Sequence, residues 1–383
     1  MSSPFIPLSD PHITAHEIEA VNQVLGSPRI SAGAVTAAFE EAFAAYCGRR
    51  YAVAVSSGTL GMLLVLKAYG IGPGDEVIAS AYSFRETAHA IVAAGAAPVF
   101  ADIDYWAGTL VPEKAEAAIT EKTRAIIACN NNGHPAPWTP FRELAERRGL
   151  ILIEDSTEAI GSVYGGRKVG GFGDCAVFDF SQPSPITCGE GGMILTDNED
   201  IAHALRRLRS RTPQERSSVV FAGVAPVFAT MSDLSAALGL AQLNRIDQIL
   251  ELRKGAEGLY LKHIRSFEGI KDPYIAPGVD KVHWFLYTVH LGTRFTRSSR
   301  DAIAGDLKTA GIEAVAYSQP LHLQRYYMDA GQRRGELFVT VKVADRAISL
   351  PFHSHLTQSQ IAFIVETMKD ASVNVGAGAA IYL

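Results

Sequence analysis

Four residues between positions 155 and 184 carry side chains that could do chemistry: Asp155, Glu158, Asp179 and Ser184. The hydroxyl of Ser184 cannot form an imine, although it can donate and accept hydrogen bonds. Carboxylates held in one confined space cannot all ionise cheaply, so at least one of their pKa values should rise. If the three carboxylates meet, we expect one to act as a general acid near neutral pH and the others as bases.

The elements that must position these residues follow an alternating pattern. Short apolar runs typical of buried strands are separated by helical segments. The runs cover 51–55, 76–79, 97–101, 125–128 and 150–153. This pattern is typical of a parallel sheet covered by helices on both faces. The sequence therefore predicts a large α/β domain over residues 1–245. A smaller α+β domain is predicted over 246–383, with an amphipathic helix at 246–263 and an alternating strand at 284–290.

Composition limits the classes of function. The 383-residue chain has a net charge of −5 and no Lys/Arg block, which argues against nucleic acid or an anionic membrane as a partner. No apolar run reaches the roughly 18 residues of a spanning helix, and a signal-peptide pattern is absent from the N-terminus. The four cysteines lack paired short spacing, which favours a reducing cytoplasm and predicts no metal site.

Several motifs carry a resemblance to a known family. Segment 178–192 resembles a signature of the DegT/StrS sugar-aminotransferase family, whose members are fold-type-I enzymes that use pyridoxal phosphate (PLP). Similar motifs occur in the family's order over nearly the whole chain. Two precede this segment, at 56–59 and 71–78, and two follow it, at 231–243 and 320–324. The resemblance implies aminotransferase fold type I, with a mainly parallel, seven-stranded type of sheet in the large domain. It also implies a homodimer, because the family's pocket draws residues from both subunits.

The resemblance assigns roles to individual residues. In the family, a lysine that forms a Schiff base with PLP stands at the position of Ser184. Asp155 matches the partner of the pyridine nitrogen, and Phe84 matches the aromatic residue stacked on the ring. Gly58 and Thr59 match the start of the helix whose amides hold the phosphate.

Other positions depart from the family pattern. Asp179 replaces a serine that donates to the phosphate. Like charges about 4 Å apart repel by roughly 4 kcal/mol at an effective dielectric constant near 20, so a carboxylate here opposes phosphate binding. Four further positions differ: Glu158 replaces a glutamine, Asn130 a frequent histidine, Phe228 an asparagine and Thr230 an arginine. Lys168, the lysine nearest in sequence, falls in a hairpin and is interpreted as a solvated turn residue.

Substrate-binding candidates are the polar residues near the altered pocket. Asn130, His134, Tyr317 and Ser184 could orient a substrate, together with Phe84. His322 matches a family position that is structural and on the substrate side. A polar, carbonyl-bearing metabolite is therefore the expected ligand.

The leading hypothesis from the sequence is a biosynthetic enzyme of specialised metabolism that works without PLP. It would use acid/base chemistry for cyclisation, dehydration, isomerisation or condensation. One alternative is a sugar dehydratase-like enzyme that uses pyridoxamine phosphate (PMP), and another is a non-catalytic partner of an active aminotransferase. No cofactor is expected under the leading hypothesis; PLP or PMP would otherwise be held by Gly58, Thr59, Phe84 and Asp155.

Overall fold

The computed structural model describes residues 5–210, 225–265, 274–329, 336–375 and 381–382. In chain order the helices are α1 (Ala15–Leu25), α2 (Ala34–Cys47), α3 (Gly58–Ala68), α4 (Arg85–Ala93), α5 (Pro112–Ala117), α6 (Trp138–Arg148), α7 (Glu199–Arg209), α8 (Asp233–Leu243), α9 (Ile246–Ile264), α10 (Arg297–Thr309), α11 (Arg325–Asp329), α12 (Phe338–Ala344) and α13 (Gln358–Asn374), with a 3-10 turn at Leu321–Leu323. The strands are β1 (Tyr51–Val55), β2 (Glu76–Ser80), β3 (Ala97–Ala101), β4 (Thr123–Cys129), β5 (Ile151–Asp155), β6 (Val163–Tyr164), β7 (Arg167–Lys168), β8 (Cys175–Asp179), β9 (Gly192–Thr196), β10 (Val279–Lys281), β11 (Tyr287–Leu291), β12 (Ala347–Leu350) and β13 (Ile381–Tyr382). In these ranges no helix is both long and apolar enough to cross a membrane.

A seven-stranded sheet forms the centre of the large unit, in the order β1-β9-β8-β5-β4-β2-β3. Neighbouring strands from β8 to β3 run parallel, and β9 runs antiparallel to both β1 and β8. The predicted α/β fold with a mainly parallel sheet is confirmed.

Helices cover both faces of this sheet. On one face, Ile126 of β4 packs in a cluster with Phe141 of α6. On the other face, the adjacent Ile127 packs in a cluster with Leu64 of α3. Successive strand residues point to opposite faces, and here both faces are buried. This explains why the strands read as continuous apolar runs in the sequence.

A second hydrophobic core lies in the C-terminal part of the chain. It surrounds the three-stranded sheet β12-β11-β13 and contains residues of α9, α10 and α13. Ile6 belongs to this core as well, because it is 2% exposed and forms a bridge with Ile312. The division of the chain at residue 245 stays a prediction, and the N-terminal segment packs with the later core.

The strand predicted at 284–290 is shorter in the structure and begins at Tyr287. The backbone amides of Phe285 and Leu286 donate instead to the carbonyl oxygen and side-chain oxygen of Asn132. This contact joins the C-terminal part of the chain to the end of β4. An alternating sequence pattern contains no information about such a distant partner.

Candidate functional site

The candidate site lies at one edge of the large sheet, where the parallel strands β5 and β8 end. Asp155 is the last residue of β5 and Asp179 the last residue of β8. Because adjacent parallel strands end at the same edge, their two carboxylates lie at one side of the sheet. A cavity of about 270 Å³ lies between them and the start of α3, and its lining includes Gly58, Thr59 and Phe84. The structure thus brings together the four residues predicted to hold a cofactor, Gly58, Thr59, Phe84 and Asp155, with Asp179 beside them.

Asp155 is held firmly in place. Its Oδ2 accepts a hydrogen bond of 2.7 Å from the hydroxyl of Thr87, and its Oδ1 accepts one of 3.2 Å from the amide of Thr157. Asp155 is 7% exposed. A buried carboxylate with fixed donors is a pre-oriented partner for a cationic group. Thr87 was missed by the sequence analysis, because its partner lies 68 residues away and no local motif marks the pair.

Asp179, at the end of β8, contacts the start of α3. Its Oδ2 accepts a hydrogen bond of 2.6 Å from the amide of Gly58, and its Oδ1 accepts one of 2.8 Å from the amide of Ser181. The hydroxyl of Ser181 also donates to Oδ1. Free amides at a helix start attract anions. Here a carboxylate of the chain itself contacts one of these amides.

Glu158 lies beside Asp155 in an adjoining cavity of about 200 Å³. It accepts hydrogen bonds from the Tyr317 hydroxyl and from the amide of Asn132. Burial raises the pKa of Glu158 to about 7, and the charge of Asp155 adds to this rise, whereas the two hydrogen bonds oppose it. One carboxyl near neutral pKa was the expectation from the sequence, and Glu158 is that group. Burial and the Glu158 charge raise the pKa of Tyr317 well above its ordinary value.

Ser184 is buried in the loop after β8, where its Oγ accepts a hydrogen bond of 3.3 Å from the amide of Ile186. Lys168 lies elsewhere, with its ammonium group 3.6 Å from the centre of the Tyr46 ring. It is absent from the residues lining the two cavities beside Asp155. The described part of these cavities therefore contains no lysine that could replace the missing amine.

Two substrate-binding candidates have their polar atoms bonded to the protein. The Asn130 amide nitrogen donates to Glu154 and Ser156, and its oxygen accepts from the Ala136 amide and the Trp138 indole. The His134 Nδ1 contacts the carbonyl of Pro135, and its Nε2 accepts from the amide of Ala276. Burial lowers the pKa of His134. Both residues therefore hold the local backbone, and their role toward a substrate stays a prediction.

The remaining candidates lie further away. His322 is buried in the 3-10 turn Leu321–Leu323. Phe228 is 60% exposed and does not line either cavity beside Asp155. Thr230 forms a bridge with Val55 at the end of β1. In the part of the chain that the structure describes, no group of three His, Cys, Asp or Glu residues is placed to hold a metal ion.

The arrangement fits a planar aromatic ring that has a basic nitrogen on one side and an anionic group on the other. Asp155 would contact the nitrogen, Phe84 the face of the ring, and the amides at Gly58 and Thr59 the anion. Two features limit this fit. Ser184 offers no amine for a covalent bond, and Asp179 already contacts the Gly58 amide.

Comparisons with known proteins show what this chain is similar to. The sequence model of the DegT/DnrJ/EryC1/StrS aminotransferase family matches residues 11–369. GDP-perosamine synthase of Caulobacter vibrioides is 35% identical over 372 residues, which cover 97% of this chain and 99% of the relative. The PMP form of Spr1654 from Streptococcus pneumoniae, described as a sugar aminotransferase, has a TM-score of 0.90 at 26% identity, covering 97% and 98% of the two chains. DesV of S. venezuelae, in complex with a ketimine intermediate, has a TM-score of 0.87 at 31% identity, covering 97% and 99%.

These relatives correct two expectations. The hypothesis of a PLP-independent, non-aminotransferase function is wrong, because the family and solved members of it are described as aminotransferases. The expectation of no cofactor is wrong too, because Spr1654 is known in PLP and PMP forms. The physical reason is that Ser184 removes only the covalent link; Asp155 and Phe84, which match the family's partners for the ring nitrogen and the ring face, still line one cavity. Neither the dehydratase-like alternative nor the non-catalytic alternative gains support from these names.

Proposed function

Because the chain belongs to the DegT/DnrJ/EryC1/StrS aminotransferase family, we propose that it transfers an amino group to or from a sugar-like small molecule. It would do so with a B6 phosphate cofactor held without a covalent bond to residue 184. The observation that carries this proposal is the position of Asp155, at the end of β5 in one cavity with Phe84 and the start of α3.

The chain's own residues would hold the cofactor from three sides. The Asp155 carboxylate would form a charge-assisted hydrogen bond with the protonated ring nitrogen, and Thr87 keeps that carboxylate oriented. Phe84 would pack on the ring face. When bound, the cofactor supplies the carbonyl or amine that exchanges with the substrate, together with an electron-withdrawing ring.

Glu158 is the group that we propose to carry protons. A pKa of about 7 allows this carboxyl to hold or release a proton near neutral pH. The Tyr317 hydroxyl donates to it and fixes its orientation. In the family the lysine at position 184 places a titratable amine close to the cofactor. Ser184 has no such group, so we assign proton transfer to another titratable side chain.

The state of the molecule in the cell is part of the same proposal. We expect a homodimer, in line with a family pocket built from two subunits, and 60% exposure of Phe228 in the single chain supports a covering partner. We expect a cytoplasmic enzyme, which is supported by the four free cysteines.

Cofactor binding followed by amino transfer tests the proposal. The purified protein should bind PMP saturably and, with a keto-sugar nucleotide as acceptor, convert it to PLP. Asp155→Asn should weaken the binding, whereas Asp306→Asn, a change at an exposed helix position, should leave it unchanged. A wild-type protein that binds neither PMP nor PLP would exclude the proposed function.

A further inference from the structure

The two carboxylate oxygens of Glu158 accept hydrogen bonds from two separate parts of the chain. Oε1 accepts one from the hydroxyl of Tyr317, which lies 159 residues away, and Oε2 accepts one from the backbone amide of Asn132. Glu158 is 6% exposed, so these two donors, rather than bulk water, orient its carboxylate. Whatever fixes the two donors therefore fixes the carboxylate as well.

Asn132 has an uncommon backbone conformation that is held by a distant segment. Its φ of +48° lies in the left-handed region, which asparagine tolerates better than most residues. Its carbonyl oxygen accepts a hydrogen bond of 3.3 Å from the amide of Phe285, and its side-chain oxygen accepts one of 2.9 Å from the amide of Leu286. We call residues 283–286 the bridging segment. The residue that donates to Glu158 is thus bonded twice to this segment.

The neighbouring residue Gly133 brings the two backbones close together. A Cβ atom at position 133 would lie 2.2 Å from the carbonyl oxygen of His283, so a larger residue would push the bridging segment away. The hydroxyl of Ser162 joins the same two strands of chain: it donates to the carbonyl of Gly133 at 2.7 Å and accepts from the amide of His283 at 2.9 Å. The contact between the loop and the bridging segment is therefore specific as well as close.

Arg253 of α9 holds the bridging segment from its other side. Its Nη2 donates to the carbonyls of Trp284 at 2.9 Å and Phe285 at 2.7 Å, and its Nη1 donates to the carbonyl of Phe352 at 2.9 Å. Arg253 is 6% exposed, and a planar guanidinium group fixes the directions of its donors. The Phe285 ring also lies 6.1 Å from the Tyr317 ring, measured between centroids. The bridging segment thus contacts both residues that donate to Glu158.

Hydrogen bonds to a carboxylate favour its ionised form, whereas burial and nearby negative charge favour the protonated form. Burial raises the pKa of Glu158 to about 7, the charge of Asp155 adds to this rise, and the two hydrogen bonds oppose it. Burial also raises the pKa of Tyr82 and of the Cys129 thiol, so these two neighbours are uncharged near neutral pH. The balance at Glu158 therefore depends on how well its donors are placed.

We propose that Asn132 is the positioning residue through which the bridging segment orients the Glu158 carboxylate. This inference rests on the proposed function, because it concerns the group to which that function assigns proton transfer. With the bridging segment in place, the Asn132 amide points at Oε2 and favours the ionised carboxylate. A displaced segment withdraws this donor, so Glu158 keeps its proton to a higher pH. Contacts made by α9 thereby set the pH at which the candidate site exchanges protons.

Infrared spectroscopy of the purified full chain tests the proposal. The carbonyl band that disappears in Glu158→Gln belongs to the protonated Glu158 carboxyl, and its amplitude should titrate with a midpoint near pH 7 in the wild type. Asn132→Gly keeps the positive φ but removes the acceptor for Leu286, and Arg253→Lys keeps the charge but loses the planar set of donors. Each variant should raise the midpoint by about one pH unit, a tenfold change in the ionisation equilibrium.

Two matched variants control for a general loss of stability. Asn198→Gly removes a side-chain acceptor that is bonded to the amide of Ile201. Arg245→Lys alters a half-buried guanidinium group that donates to Glu17. Both changes weaken the fold away from the bridging segment, so they should leave the midpoint where it is in the wild type.

Ser162→Ala is the smallest change at the contact with the bridging segment. It removes only the hydroxyl shared by Gly133 and His283, and it should raise the midpoint in the same direction by a smaller amount. This variant supplies the measurement if Asn132→Gly and Arg253→Lys fold poorly.

Three results would overturn the proposal. The first is an unchanged or lowered midpoint in the folded variants of the contact, and the second is an equal rise in the two control variants. The third is a Glu158 carboxyl that does not titrate at all. PMP binding is measured in parallel on the same proteins. Midpoints that move as expected in a protein that binds neither PMP nor PLP would refute the proposed function and leave the role of Asn132 standing, whereas PMP binding with unmoved midpoints would refute the role of Asn132 alone.

Discussion

The carboxylate of Asp179 accepts a hydrogen bond of 2.6 Å from the backbone amide of Gly58, at the first residue of α3. The contact is close enough that a Cβ atom at position 58 would lie 2.7 Å from the Cβ of Asp179. The chain's own anion thus contacts the helix start that would hold a cofactor phosphate. Asp179 and that phosphate would compete for the same amide.

Asp179→Asn should therefore strengthen PMP binding by about tenfold or more. Like charges about 4 Å apart repel by roughly 4 kcal/mol at an effective dielectric constant near 20, and part of this is offset by the weaker helix cap. Fluorescence titration measures the affinity. Pyridoxamine, which lacks the phosphate, is the control ligand and should bind both proteins alike; an equal gain for both ligands would show that charge repulsion is not the cause.

Ser184→Lys should restore a covalent link to PLP. Borohydride reduction followed by mass spectrometry should find a pyridoxyl group at residue 184 in this variant and none there in the wild type. Ser184→Met controls for the larger side chain, because Ser184 is buried and added volume costs about 1–3 kcal/mol. A wild-type protein labelled stoichiometrically at another lysine, such as Lys168, would contradict non-covalent binding.

Asp155→Asn should weaken PMP binding by about 10- to 100-fold. A hydrogen bond to a charged partner contributes about 1.5–3 kcal/mol, and the amide removes the charge while keeping the shape. Thr87→Val should have a smaller effect, because it removes only the donor that orients Asp155. Equilibrium dialysis measures the affinities for PMP. If the Thr87 variant loses more PMP affinity than the Asp155 variant, Asp155 is not the direct partner of the cofactor.

Glu158→Gln should change how stability depends on pH. The pKa of Glu158 is raised by burial from 4.5 to about 7 in the folded protein. Its contribution to stability is therefore fully present below pH 4.5 and is lost as the pH rises through about 7. The free energy of unfolding should fall by about 3 kcal/mol more in the wild type than in the variant across this window. Urea unfolding at several pH values measures it, with the exposed-site variant Glu41→Gln as the control. Parallel profiles for wild type and Glu158→Gln would contradict the expected ionisation.

Asn130→Leu should destabilise the fold by about 3 kcal/mol. The change removes four hydrogen bonds, among them those to Glu154 and the Trp138 indole, and leaves buried polar groups without partners. PMP affinity of the folded variant should stay within a few-fold of the wild type. Thermal and urea unfolding measure the stability, with Asn244→Leu as the control. A stable variant with lost PMP binding would instead support a direct role for Asn130 in the pocket.

Much of the fold was predictable because its signals are local. The strands β1 to β5 match the apolar runs to within a few residues, since strands buried on both faces contain few polar residues. The helix predicted at 246–263 ends one residue later, at Ile264. The strand predicted from residue 284 begins only at Tyr287, because Asn132, far away in sequence, accepts hydrogen bonds from the amides of Phe285 and Leu286.

The site was predictable only where a motif marked it. Asp155, Phe84 and Gly58 were found through the resemblance and line one cavity. Thr87 was missed, because its importance depends on a contact with Asp155, which lies 68 residues away. The cofactor was misjudged for a physical reason: a missing Schiff-base lysine was taken to mean a missing cofactor, although stacking and the ring-nitrogen contact need no covalent bond.

The pairing of Ile6 with Ile312 has a consequence for how this protein is made. The segment around Ile6 is translated before the large sheet, and its partner is translated after it. During synthesis this apolar segment lacks its final neighbours until the later part of the chain has left the ribosome. Completion of the C-terminal core is therefore a late event, and slow translation beyond the large sheet would prolong the exposure of Ile6 to chaperones and proteases.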